Sequence, residues 1–320
     1  ASKILEIGAY HDAAAEEVEL EWLLGGWQHR PVPIRLAKRA SLIERFRDRV
    51  EHLFPTSPRA WMQLTLRYDQ WVEDALSNGV DAADMYRKTL EAVQRALSLN
   101  PHSPDAWIVL SLVRESGARL ARGEQTRRGE MRRSIDAAEH ALSLRPGYPR
   151  ARLRLARANA ADGRIDRSLA VLQTMPEHPE AVALRAEILG NEARFQLAAQ
   201  DYEQAIRTAP SVDLLREAAH LWIEWGRHRE GRGENPSGQY GKALEILNRA
   251  IEEFPENPRL YAERGRARAY AGGTGLEAIA DVERAARMSP YSAPILAIRA
   301  EVFTRVSLSL QKSRSASSSR

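Results

Sequence analysis

Arg150, Arg154 and Arg157 are spaced four and three residues apart, so a helix would carry their three guanidinium groups along one side. Planar guanidinium forks hold carboxylates and phosphates in bidentate geometry, so this spacing points to recognition of an anion. Catalytic chemistry finds no comparable grouping. The eight histidines are His11, His29, His52, His102, His140, His178, His220 and His228, and none forms the helical i, i+4 pair of a metal-binding motif. His220 and His228 could share a helix face, but no carboxylate spacing accompanies them. His102 and His178 fall in turns and read as surface polar residues. Gly272, Gly273 and Gly275 resemble part of a phosphate-cradling loop, yet they follow a helix rather than a strand and read better as a hairpin turn. Acidic pairs such as Glu16 with Glu17 or Glu252 with Glu253 read as solvated faces, because acid–base work needs two carboxylates in a defined cleft. The chain has no cysteine, which removes disulfides, thiolate zinc sites and cysteine nucleophiles together. No catalytic residue, cofactor or metal is expected, and the chain reads as non-enzymatic.

The net charge of +4 permits an acidic partner but falls short of a nucleic-acid signature. Only five of the 47 basic residues are lysines, and a GC-rich genome would produce that arginine excess without selection for phosphate binding. No run approaches the roughly 18–20 apolar residues of a membrane span. The chain opens at Ala1 rather than at methionine, which predicts residues upstream, a signal peptide or an anchor among them. Together with the absence of cysteine this is compatible with a processed envelope protein, and it leaves cytoplasm and periplasm both open.

The elements that must position these side chains announce themselves by repetition. A small-residue helix end, a proline turn and a fresh apolar helix recur as AVQRALSLNPHSPDAW around Pro101, AAEHALSLRPGYPRAR around Pro146, and LNRAIEEFPENPRLY around Pro255. Related copies sit at Pro55, Pro176, Pro210 and Pro290, and the seven prolines are separated by 46, 45, 30, 34, 45 and 35 residues. A helical hairpin of this size cannot bury its own apolar face and must stack on copies of itself. The extra residues of the three longest repeats fall between first and second helix, near 78–84, 119–130 and 230–241, the last with the loop chemistry of GRGENPSGQYG.

On these residues the chain resembles the tetratricopeptide repeat superfamily. Tyr261, Gly265, Ala278, Val282 and Ala285 fill the family's places of large and small residues, as do Val182, Ala186, Ala198, Tyr202 and Ala205. Ala243, Leu247 and Ala250 do so on helix B of a third repeat, and Trp61 and Trp107 take the large helix A place as core residues. Thr65, Ser111, Thr89 and Ser134 depart from the pattern, standing where small apolar residues are usual. The resemblance implies an all-α fold, a right-handed α-solenoid of stacked antiparallel helix pairs. It divides the chain into an N-terminal hairpin cap over 1–57, the repeats over 58–290, a capping helix over 291–310 and a disordered Ser/Arg tail over 311–320. Within the cap, His11 to Leu24 and Ala37 to Phe54 read as the two helices.

The resemblance also implies a concave face lined by helix A, at the second, fifth, sixth, ninth and twelfth places of each repeat. These are Met62, Gln63, Leu66, Ile108, Val109 and Leu112 in the first repeats, then Arg150, Leu153, Arg154 and Arg157, then Arg216 and Trp222, then Arg259 and Arg266. The groove is expected to be apolar toward the N-terminus and cationic in the middle. The competing reading has the arginines solvated or paired to Glu180, Glu187 or Glu263 on the next repeat. The ninth places read Leu66, Leu112, Arg157, Glu187, Ala219 and Arg266, without the asparagine of the clamp that holds chaperone tails. Trp22, Trp27, Trp71, Trp222 and Trp225 lie outside the motif and would anchor a partner if exposed.

The resemblance thus implies an adaptor that binds a peptide segment or partner protein, an acidic one among the candidates, in assembling a larger complex, such as a bacterial envelope, secretion or polysaccharide-export machine. Recognition of an anionic polysaccharide or nucleic acid by the arginines stays open, as does a docking role within a larger enzyme or membrane protein.

Overall fold

A computed structural model describes residues 32–272 and 275–318, and within them lie fourteen α-helices and no strand. In chain order they are α1 Val32–Leu53, α2 Pro58–Ser77, α3 Ala83–Leu99, α4 Pro104–Leu120, α5 Glu124–Leu144, α6 Pro149–Ala161 and α7 Ile165–Gln173. The second half continues with α8 Pro179–Asn191, α9 Phe195–Thr208, α10 Val212–Gly231, α11 Ser237–Glu253, α12 Pro258–Ala271, α13 Leu276–Met288 and α14 Ala293–Ser318. Helices α2 to α13 pair as six hairpins, and each helix A also packs on helix A of the next hairpin. The fold is an all-α, right-handed α-solenoid of stacked antiparallel pairs. Helix α1 packs on α2, and α14 covers α12 and α13 at the other end. The expected helix over His11 to Leu24 lies outside the described residues.

Helix A begins the same way in repeat after repeat because local chemistry sets its start. Pro58, Pro104, Pro149, Pro179 and Pro258 occupy the first turn, where a missing N–H costs nothing. Ser57, Ser103 and Ser211 cap α2, α4 and α10, each hydroxyl accepting from the N–H three residues on. Trp61 and Trp107 are half-buried rather than core residues. Their indole N–H groups donate to the carbonyls of Pro55 at 3.1 Å and Pro101 at 2.7 Å, and Arg152 does the same for Pro146 at 3.1 Å. The fourth position of helix A therefore pins the turn before it.

The motif residues form the buried seam of each hairpin. Tyr261, Ala278, Val282 and Ala285 are buried, and a Cβ on Gly265 would lie 2.7 Å from Val282 and 2.8 Å from the Ala278 carbonyl. Glycine is required there so that the two helices can touch. The hydroxyl departures satisfy themselves inside this seam. Thr65 and Thr89 donate to the carbonyls of Trp61 and Met85, one turn earlier, while Ser134 donates to the Ser111 carbonyl at 2.8 Å.

The extra residues of the long repeats mainly lengthen helices. Helices α2 and α10 have 20 residues and α4 has 17, against 13 in α6 and α8. In the stretch 230–241, expected as loop, only 232–236 separates α10 from α11. The cause is Tyr240, which is buried against Gly226; a Cβ there would meet its ring at 2.4 Å. Similarly, α14 runs on to Ser318 instead of ending at residue 310, because extending an existing helix carries no nucleation cost.

Candidate binding face

Two of the arginines expected to point into the groove are instead internal struts. Arg154 is only 7% exposed. Its Nε donates to Ser111 Oγ at 2.8 Å, and its terminal nitrogen binds Glu115 on α4 and reaches Ser134 at 3.4 Å. Arg266 is 6% exposed and lies among Glu224 of α10, Glu263 on its own helix, His220 Nδ1 at 3.1 Å and Glu301 of α14 at 3.3 Å. Burial pushes the Glu263 carboxyl up, but His220, Arg266 and Arg216 outweigh it and hold it below the ordinary range. Glu263 is thus a partner of Arg266 on its own helix rather than across to the next repeat, whereas Arg154 pairs backward to the preceding repeat.

The other expected residues separate by exposure. Arg150 is exposed and bonded to Asp105 at 2.9 Å, whose carboxylate also accepts from Tyr148 at 2.5 Å. Arg157 and Arg259 are exposed and make no ion pair or side-chain hydrogen bond among the described residues, though Arg157 lies near enough to Glu217 to act on its charge. Arg216 is half-buried and pairs with Glu217 at 3.2 Å. Leu153, Ile108 and Val109 are buried in the stack, so they cannot line an apolar groove. Met62, Gln63 and Leu112 are half-buried, and Leu66, at 37%, is the most open of the apolar set. Trp222 is half-buried and stacks on Trp225 at 4.8 Å. Trp225 in turn stacks on Phe195 at 6.0 Å.

The turn after Pro210 changes the register of one repeat. In the neighbouring repeats, helix A starts three residues after the closing proline, at Pro149, Pro179 and Pro258. After Pro210 it starts two residues later, at Val212 with Ser211 as cap. The fifth, sixth and ninth places are therefore Arg216, Glu217 and His220. Ala219, expected at the ninth place, is fully buried.

With that register the middle of the face holds a cleft of about 290 Å³ between α8 and α10, floored by α9. Glu187, Gly190 and Asn191 of α8 form one wall, and Arg216, Glu217, His220, Leu221 and Glu224 of α10 form the other. Phe195 and Tyr202 of α9 lie at the base. A Cβ on Gly190 would sit 2.6 Å from Leu221 Cδ1, so glycine permits the close approach of α8 and α10 here. Glu187 has no ion-pair partner among the described residues. Burial pushes the Glu217 carboxyl up; Arg216 and Arg157 oppose this, while Glu187 and Asp213 add to it. Tyr202 is 4% exposed, its hydroxyl makes no hydrogen bond among the described residues, and burial pushes it far up, with Glu217 and Glu187 adding to the shift. The cleft therefore gathers three carboxylates, Glu187, Glu217 and Glu224, against Arg216 and His220 on its walls, while Arg157 acts on Glu217 from nearby.

The sequence pattern places Tyr202 in the helix B motif as packing and weighs His220 only as a metal ligand beside His228, while Glu217, Asn191 and Phe195 carry no signal in it. The shortened turn after Pro210 was the signal that would have moved Glu217 and His220 onto the face. Among the described residues, no group of three His, Asp or Glu is arranged to hold a metal ion, and no helix is long and apolar enough to cross a membrane.

Comparisons with known proteins agree on the repeat. Family models described as tetratricopeptide repeat match residues 125–188 and 237–293. A rice protein, the DnaJ protein P58IPK homolog B of Oryza sativa subsp. japonica, is 29% identical over 97 residues, which is 30% of this chain and 21% of that one. The chain thus matches about a fifth of that relative's length. Among solved structures, PilW, a widely conserved type IV pilus biogenesis factor, superposes with a TM-score of 0.50 at 15% identity, over 74% of this chain and 98% of that one. A tetratricopeptide repeat protein from Parabacteroides merdae gives 0.49 at 20% identity, over 78% of this chain and 92% of that one.

Proposed function

We propose that this chain, which belongs to the tetratricopeptide repeat superfamily, is a non-enzymatic adaptor that holds an extended segment of a partner protein against its helix A face. The observation that carries this reading is the cleft between α8 and α10, where the Tyr202 hydroxyl makes no hydrogen bond and Glu187 no ion pair among the described residues. Struts such as Arg154 and Arg266 support a rigid face, and a preformed face lowers the ordering cost of association. The same struts weaken the reading as a polyanion receptor, because they withdraw two guanidinium groups from the surface. For the setting we propose the assembly of a larger bacterial complex, in the envelope, in secretion or in polysaccharide export; PilW, a pilus biogenesis factor, shares the fold.

Selection of a displayed random dodecapeptide library on the intact chain tests the adaptor reading. Enriched peptides should bind the intact chain and lose at least about tenfold, roughly 1.4 kcal/mol, on Asn191→Trp, which fills the cleft from an exposed position. Failure of any sequence to enrich, or equal binding to Asn191→Trp, would contradict it.

A further inference from the structure

We infer that the cleft between α8 and α10 seats one lysine or arginine side chain of the partner segment, its cation lying between Glu187 and Glu217 and hydrogen-bonded to the Tyr202 hydroxyl. This rests on the peptide-holding reading and adds the chemistry of the residue recognised. The first support is the balance of charge. Three carboxylates line the cleft, those of Glu187, Glu217 and Glu224, facing Arg216 and the imidazole of His220, with Arg157 acting on Glu217 from outside the lining. Glu224 is already engaged by Arg266 and by Arg227 at 3.0 Å, and Arg216 is shared between Glu217 and Asp213, the latter at 3.7 Å. Glu187 has no countercharge. An anionic or acidic segment would add repulsion here, while a cation completes the pairing.

The second support is independent of charge. Tyr202 is buried at the base of the cleft apart from its hydroxyl, which still reaches solvent and makes no hydrogen bond to the described residues. The phenolic oxygen is therefore a free acceptor facing the cleft, and an ammonium or guanidinium N–H donates to it in place of water. The third support is shape. The cleft is at the small end of ligand pockets, which run about 300–1,000 Å³, so it suits a single long side chain. Phe195 and Leu221 offer apolar surface to the methylene stem, and basic residues bury their stems in this way while keeping the charge among polar groups. A metal ion is the wrong cation, because no three of these acidic and histidine side chains are arranged to hold one.

The dodecapeptide library, selected in parallel on the intact chain and on Glu187→Lys, tests the inference. Glu187 is exposed, so its substitution leaves the packing intact. Peptides enriched on the intact chain should share one lysine or arginine position, and those enriched on Glu187→Lys should carry aspartate or glutamate there or lose the preference. Changing the shared basic residue to alanine should weaken binding at least tenfold on the intact chain and less than threefold on Tyr202→Phe with Glu217→Gln. Peptides that enrich without a shared basic position, or the same motif on both chains, overturn the inference and leave the adaptor reading standing. If no peptide enriches on either chain, the adaptor reading itself is overturned, and this inference with it.

Discussion

Arg154 Nε donates to Ser111 Oγ across 2.8 Å, joining α6 to α4 inside the stack. The same guanidinium holds Glu115, so this arginine is a beam between repeats rather than a fingertip on the groove. Breaking a buried pair by removing one partner costs about 3–5 kcal/mol, whereas an exposed helix residue without partners is worth about 0.5 kcal/mol or less. Arg154→Ala should therefore lower stability by roughly 2–4 kcal/mol, and Arg157→Ala, one turn away and exposed, should leave it nearly unchanged. Urea unfolding of the two variants checks this, and equal midpoints would contradict it. Variants that change both arginines together would confuse lost binding with lost folding.

Asp69 supplies a pH prediction. Burial pushes its carboxyl up to about 6, opposed by the hydrogen bond from Ser116 and assisted by Glu73. With the folded value above the unfolded one, its contribution is fully present below the ordinary aspartate value and is lost as pH rises through about 6. Asp69→Asn should stabilise the chain by about 2 kcal/mol at pH 8, and the gain should shrink toward zero near pH 4. Denaturant midpoints at the two pH values measure it; a gain that is the same at both would rule out the buried carboxylate as its source.

Ala193 is the one non-glycine residue with positive φ among the described residues, at 56°, in the turn just beyond the Asn191 wall of the cleft. The left-handed conformation costs an L-residue about 1–2 kcal/mol, partly offset by the entropy a glycine would lose. Ala193→Gly should raise stability by about 0.5–1 kcal/mol, and Gly163→Ala, at φ 78° in the matching turn, should lower it by about 1–2 kcal/mol. Thermal melting of both variants checks the pair, and shifts of the same sign would contradict it.

Much of the fold was legible because its determinants are local. The closing prolines, the small residue at Gly265 and the large residues at Tyr261 and Val282 each act within one hairpin, and their order along the chain is their order in the stack. The face was less legible because its chemistry depends on residues roughly forty positions apart. Nothing in the neighbourhood of Arg154 shows that Ser111 and Glu115 will meet it, or near Arg266 that Glu224 and His220 will. Tyr202 was recognised as a seam residue, but the opening above its hydroxyl exists only once α8 and α10 are placed. The turn after Pro210, one residue shorter than its neighbours, shifted the repeat's places and hid Glu217 and His220.

The most direct measurement is a crystal structure of the chain with its tightest display-selected peptide. The account predicts the peptide along the helix A face, with one lysine or arginine nitrogen within about 3.2 Å of the Tyr202 hydroxyl and a carboxylate oxygen of Glu187 or Glu217. A peptide bound outside the α8–α10 cleft, or an acidic side chain inside it, would contradict the account.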